Sequence, residues 1–316
     1  MPLLPGQTLS TPISRTYNVY IPDNPVQPTV PAIVVFHGGG QDAENIARRW
    51  GIDPANPANP PPFPLDGYLL VFPEADPLLS DEWVHFQKKD SAFPTHDLLF
   101  VDQLLTEIFA ATYTTGNPSV PRVTVDPALV YAAGFSNGGG MVWQLMNSNL
   151  VSGFKGFAAV GKALDPEKAL HYRQQLAGAL PVPVPAIYVH GTADFGFRSP
   201  VTVQEVPLDT TFPANTVQEM LTRNGILPPA GPGGPSVTTL VPGSGNRTEV
   251  VVQLFQGGAQ AFEYVTVVGG GHNWPTPATV GNGPVATHFN ATEKIVEFWQ
   301  NHAGLPGVED LFQDGE

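Results

Sequence analysis

The feature that most constrains this chain is a pattern that recurs along it. A short unbroken apolar run ends in a glycine-bearing turn, and a helical stretch often follows. AIVVF at 32–36 runs into His37-Gly38-Gly39-Gly40 and then into helix-like AENIARRWGI at 43–52. GYLLVFPEA at 67–75 is a second run of this kind. It precedes 97–112, where Leu98, Val101, Leu104, Leu105, Ile108 and Phe109 recur at helical spacing. ALVYAAG at 128–134 passes through Gly134-Phe135-Ser136-Asn137-Gly138 into a helix over 137–149. GFAAVG, AIYVHG at 186–191 and FEYVTVVGGG at 262–271 add further strands. Strands without polar alternation are buried on both faces. The expected fold is therefore a mainly parallel, doubly wound sheet flanked by helices. RTYNVYIP at 15–22 does alternate and reads as an edge strand. Asn290 with Glu293 forms a capping box for a last helix carrying Ile295, Phe298 and Trp299. The proline-rich 54–66 reads as a surface loop, and the Gly/Pro-rich 227–249 as an excursion or small antiparallel hairpin before the final strand. No internal repeat occurs, and 1–316 is read as one domain.

Composition narrows the function classes. The formal net charge is −14, which disfavours a nucleic-acid partner, since the phosphate backbone needs a basic face. There is no cysteine, so disulfides, thiolate metal sites and a cysteine nucleophile are excluded together. No run approaches roughly 18 apolar residues, so no membrane-spanning helix is expected. MPLLPGQTLSTPISR lacks the basic start and apolar core of a signal peptide. A secreted location with the signal absent from this chain is the expectation, with a cytoplasmic one as the alternative. Oligomeric state stays open.

The lone serine between glycines asks for a reason. A strand–turn–helix with glycine on both sides of a serine turns sharply and stands the hydroxyl at the carboxyl edge of the sheet. The following helix aims its positive N-terminal end at it. Gly134 and Gly138 fit that geometry around Ser136. A bare G-x-S-x-G recurs by chance; the strand before it and the helix after it favour a nucleophile position over a structural glycine-rich turn. Serine needs a base, and the base needs an orienting acid, in the chain order Ser, acid, His. Of the eight histidines, His272, His288 and His302 follow Ser136 at sufficient distance. His272 sits in a loop directly after an apolar strand. His288 looks like surface at a helix start, and His302 ends the terminal helix. Asp194, just beyond AIYVHG, is the candidate acid, and Asp209 the runner-up. The glycine-rich HGGG turn and the start of the 137–149 helix supply oxyanion donors, the N–H groups of Gly39 and Asn137. No P-loop, dinucleotide fingerprint or H-E-x-x-H is present. His37 and His190 end buried strands and read as structural. Asn246 and Asn290 match the glycosylation acceptor pattern, a motif common by chance.

FHGGGQDAEN, VFPEAD, VYAAGFSNGGGM and GGGHNWP, with HGTAD between the last two, together resemble the esterase-type poly(hydroxyalkanoate) depolymerases and their feruloyl and acetylxylan esterase relatives. The order is intact from about residue 15 to 300. The resemblance implies an α/β-hydrolase fold and a serine carboxylic-ester hydrolase working through an acyl-enzyme. Polyester chains are the first expected substrate, feruloyl or acetyl esters of plant polysaccharides the alternative. No metal or organic cofactor is implied, and the expected partner is a polymeric or small ester. Ser136 would be the nucleophile, Asp194 the acid, His272 the base, and Gly39 with Asn137 the oxyanion donors. DEWVHF resembles the family's aromatic segment and implies that Trp83 lines the acyl site; Trp274, two residues after the base, would do likewise, with core or loop packing as the equal alternative for both. Gly39 stands where the family usually has Cys, and FGFRSP replaces a loop commonly found after the acid. Between Ser136 and Asp194 the chain offers one helix and no long apolar cap, so no large lid and an exposed site are expected. The reading from another class is a non-catalytic hydrolase fold that binds a polymer or a partner.

Overall fold

The computed structural model describes residues 3–9, 15–22, 25, 27–53, 65, 67–77, 81–85, 96–175, 181–194, 212–226, 237–241, 249–276 and 288–307. In chain order the elements are β1 (Leu3–Leu9), β2 (Arg15–Tyr20), β3 (Thr29–Phe36), α1 (Ala43–Arg49), β4 (Leu69–Pro73), α2 (His96–Ala110), β5 (Tyr113–Thr114), β6 (Arg122–Phe135) and α3 (Asn137–Met146). There follow β7 (Gly156–Val160), α4 (Pro166–Gln175), β8 (Ala186–Gly191), α5 (Phe212–Asn224), β9 (Val237–Val241), β10 (Val250–Phe255), β11 (Phe262–Val267) and α6 (Ala291–His302).

The strands lie in the order β1-β2-β4-β3-β6-β7-β8-β11-β10-β9, with β5 beside β6. The six from β4 to β11 are parallel to one another, and antiparallel pairs close both ends. Because β3, β6, β8 and β11 run the same way, their carboxyl ends share one edge. Residues of β3 alternate between two cores. Ala32, Val34 and Phe36 join the face covered by α2, α3 and α5, while Ile33 and Val35 join the face covered by α1 and α6. Both faces are buried, which is why these strands read as unbroken apolar runs.

Two expectations change. The strand at 15–22 is not an edge, since β1 pairs outside it, in register from Leu3↔Tyr20 to Leu9↔Arg15. Pro5-Gly6 hides β1 from a pattern search, and a register shift between Leu4 and Gln7 absorbs that dipeptide. The strand expected at 128–134 begins at Arg122, because the alternating segment Arg122–Asp126, with Val123 and Val125 buried in the core, pairs with β3 through Thr29↔Thr124 and Val30↔Val125. The expected hairpin near 227–249 is met in part: β9 pairs antiparallel with β10, a strand the sequence reading did not separate. The helix α5 was likewise not foreseen. The 54–66 loop lies outside the described residues except for Leu65, which is buried, and most of 227–249 also lies outside them. Asn290 caps α6 as expected, its side chain accepting from Thr292 and Glu293 N–H. Among the described residues no helix is long and apolar enough to cross a membrane.

Candidate active site

The turn from β6 to α3 is a tight elbow. Ser136 adopts φ 53°, ψ −114°, a left-handed conformation that non-glycine residues rarely take. Such backbone costs of order 1–3 kcal/mol and must be held by its surroundings. Here the Ser136 N–H donates to Val160 O at 2.8 Å. The flanking glycines are required by contact: a methyl group on Gly134 would lie 2.2 Å from Gly138 O, and one on Gly138 would lie 2.2 Å from Phe36 O and 2.5 Å from His37 O. The helix therefore starts against the backbone of β3, and Ser136 is left half-buried at the sheet edge.

Asp194 follows β8 and His272 follows β11, two and three strands along the sheet from β6. His272 Nε2 is 2.8 Å from Ser136 Oγ, and His272 Nδ1 is 2.7 Å from Asp194 Oδ1. The imidazole is 26% exposed while the Asp194 carboxylate is 2% exposed. A proton on Nδ1, facing the carboxylate, leaves Nε2 free to accept the serine proton. Two loops are locked together to hold this geometry. Thr192 N–H donates to Val267 O, Ala193 N–H to Gly270 O at 2.8 Å, and Gly269 N–H to Thr192 Oγ1 at 2.7 Å. A methyl on Gly191 would lie 2.3 Å from Gly270 O, so HGTAD and GGGH fit only with glycine at the crossing. His190 lies 3.9 Å from Asp194 Oδ2. Burial pushes it down to about 4 against the pull of that carboxylate, so it is neutral and leaves the Asp194 charge to His272.

Gly39, after β3, is exposed and stands beside the start of α3; a Cβ built on it would be 3.5 Å from Asn137 Cβ. Neither the Gly39 nor the Asn137 N–H donates to an acceptor among the described residues, and Asn137 opens the helix, where backbone donors face outward. His37 is structural, as expected: Nδ1 donates to Gly38 O at 2.8 Å and Nε2 accepts from Ala75 N–H at 3.1 Å, with burial holding its pKa below the ordinary value.

The Asn137 side chain has a role the sequence reading missed. Its Oδ1 accepts from Trp83 N–H at 2.6 Å, and its Nδ2 lies 3.2 Å from both Trp83 O and His85 Nε2. Residues 83–85 thus form a strap across the N-terminus of α3. Asp97 accepts from Val84 N–H and pairs with buried Arg15, which is also 2.9 Å from His96 Nδ1 and 3.7 Å from Asp76. Burial raises the Asp97 pKa even with Arg15 beside it. The available signal was an aspartate at the start of an apolar helix, just after an aromatic segment.

Trp83 and Trp274 are corrected. Both are fully buried. The Trp83 indole donates to His37 O at 3.0 Å and packs on Phe36 and Phe100. The Trp274 indole donates to Thr292 Oγ1 at 3.1 Å and packs on Trp50 and Phe135. Neither presents surface to an acyl chain. They are the packing behind the strap and behind the His272 loop. Among the alternatives, His302 ends α6 with its ring on Phe298, while Asp209 and FGFRSP after Asp194 lie outside the described residues. Among the described residues no cluster of three metal-ligating side chains occurs.

No family model matches. The chain is 29% identical over 295 residues to NocK of Nocardia uniformis subsp. tsuyamanensis, named provisionally as an esterase, covering 85% of this chain and 74% of that protein. A solved acetyl xylan esterase from Aspergillus awamori superposes with a TM-score of 0.53 at 13% identity, covering 86% of this chain and 94% of that one. A solved thermostable esterase gives a TM-score of 0.43 at 16% identity over 70% of this chain, which spans 51% of that structure's length. The likeness to the acetyl xylan esterase is one of fold. With the sheet order above, it places this chain in the α/β-hydrolase fold.

Proposed function

We propose that this chain is a serine carboxylic-ester hydrolase that works through an acyl-enzyme. One observation carries the reading: an elbow serine in strained backbone, 2.8 Å from an imidazole that is itself 2.7 Å from a buried carboxylate. In the first step Ser136 Oγ attacks the ester carbonyl carbon and its proton passes to His272 Nε2. Asp194 stabilises the imidazolium. The oxyanion is held by the N–H groups of Gly39 and Asn137, each worth about 10²–10³ in rate in comparable sites. His272 then gives its proton to the departing alkoxide oxygen. In the second step His272 takes a proton from water, the hydroxide attacks the acyl carbon, and Ser136 is released with its proton restored.

Within that class the proposed substrate is a polyester of the hydroxyalkanoate type. The order of the FHGGGQD, GFSNGGGM, HGTAD and GGGHNWP motifs supports it, as does an imidazole that reaches solvent. A p-nitrophenyl ester series run beside a hydroxybutyrate film and methyl ferulate tests both levels. Turnover of the simple esters that vanishes in Ser136→Ala supports the hydrolase. Film release at a higher rate than methyl ferulate cleavage supports the polyester. Methyl ferulate cleaved while the film stays intact moves the assignment to plant-polysaccharide esters. Simple-ester turnover that persists in Ser136→Ala removes the catalytic reading altogether.

A further inference from the structure

At the end of α3 away from Ser136, about 15 Å along the helix, lies a cavity of about 660 Å³. That volume falls in the range of small-molecule sites. Its walls are aliphatic: Leu98 and Leu99 of α2, Met146 of α3, and Val182 ahead of β8. Leu99 and Val182 are 57% and 47% exposed, two large aliphatic side chains set at the mouth.

The floor is cationic. Arg173 of α4 and Arg223 of α5 both line the cavity and are 9% and 4% exposed. Arg173 Nη1 donates to Asn147 Oδ1 at 2.7 Å and to Glu219 Oε1 at 2.8 Å. Arg223 donates from Nε to Val182 O at 2.7 Å, from Nη1 to Asn147 Oδ1 at 3.2 Å, and from Nη2 to Met146 O. Among the described residues Glu219 is the one carboxylate in ion-pair contact with either guanidinium. Two buried positive charges therefore share one negative charge. Asp102 also lines the cavity, but it is exposed on α2, where water and salt screen it. Burial, with Arg173 beside it, pulls Arg223 down to about 10. A buried charge without a counter-charge is costly, and neutral carbonyl acceptors compensate it only in part.

We propose that this cavity binds a short aliphatic carboxylate, its head group against Arg173 and Arg223 and its chain along Leu98, Leu99 and Val182. Guanidinium groups match carboxylate oxygens in charge and in planar geometry. The aliphatic wall gives the chain a place to leave water. The site is separate from Ser136 and does not depend on the ester reading.

The test is calorimetric titration of the Ser136→Ala protein with butyrate, hexanoate, octanoate and hexanol. Binding should saturate and tighten by about fourfold per added methylene. Hexanoate should bind roughly tenfold or more tightly than hexanol. Leu99→Glu changes an exposed side chain and should weaken hexanoate by roughly tenfold, because it sets a like charge at the mouth. Arg223→Gln should do the same, with its fold checked by circular dichroism. Wild-type protein phosphonylated at Ser136 should still bind. The proposal is overturned by an absence of saturable binding up to about 10 mM, by equal binding of hexanol, or by indifference to Leu99→Glu. It is equally overturned if phosphonylation of Ser136 abolishes binding, which would put the acid in the catalytic site.

Discussion

Gly138→Ala probes the link between packing and chemistry most sharply. The added methyl would sit 2.2 Å from Phe36 O and 2.5 Å from His37 O, both backbone atoms of β3 and the turn after it. An ordinary carbon–oxygen contact is about 3.3 Å or more, so the start of α3 and the end of β3 must part by about 1 Å. No side chain can rotate away to absorb this. Overpacking of this kind costs typically 1–3 kcal/mol. The same displacement separates Gly39, two residues beyond His37, from Asn137, and so opens the two donors proposed for the oxyanion. A misplacement of about 1 Å in such machinery costs about 10²-fold. The measurement is kcat/KM on p-nitrophenyl butyrate together with Tm from thermal unfolding. The expected result is a fall of about two orders of magnitude in kcat/KM, with a Tm loss of several degrees, roughly 2–4 °C per kcal/mol at this size. Full activity with an unchanged Tm would refute the argument that the start of α3 packs directly on the backbone of β3 with no room for a methyl group.

Other outcomes follow from the same geometry. Asp194→Asn should lower kcat by about 10⁴-fold while Tm changes little, because the neutral amide no longer favours the tautomer that leaves Nε2 open; steady-state kinetics decide this. Asn137→Ala keeps the backbone donor but releases the 83–85 strap, so kcat/KM should fall by about tenfold, the cost of a lost hydrogen bond or two, and unchanged kinetics would show that the strap is passive. For pH, Glu263 is pushed up to about 7, chiefly by burial, with Lys294 at 3.3 Å pulling the other way. A folded pKa above the unfolded one gives stability that is complete below the unfolded value and is lost as pH rises through the folded value. Tm should therefore drop between about pH 4.5 and pH 7, and Glu263→Gln should remove part of that slope. A slope unchanged in the variant would contradict the assignment.

What the sequence revealed and what it hid divide along physical lines. The elbow was legible because its demand is local: glycine on each side of Ser136 and strand and helix signals abutting it. Asp194 and His272 were legible because each follows an apolar run directly, and parallel strands put such positions on one edge. The strap was not legible. Its meaning depends on Asn137 reaching across 54 residues to Trp83, and on Asp97 meeting Arg15 at the start of β2. The tryptophans misled for a related reason. An indole beside a site has the same composition whether it faces substrate or fills the space behind a loop; only full burial and a protein acceptor for each N–H separate the two. Strand β1 escaped because pairing, rather than hydrophobic pattern, makes it a strand; the first part of β6 does alternate, with Val123 and Val125 buried, but Asp126-Pro127 reads as a break before the apolar run.

The central claim is that Ser136 is activated by His272. Mass spectrometry after incubation with a phosphonate ester tests it most directly. The account predicts one phosphonyl adduct per chain, on the peptide carrying Ser136, forming at least 10³-fold more slowly in His272→Ala, about the scale of removing one member of such a relay. An adduct on another residue, or one that forms at the same rate without the imidazole, would contradict it.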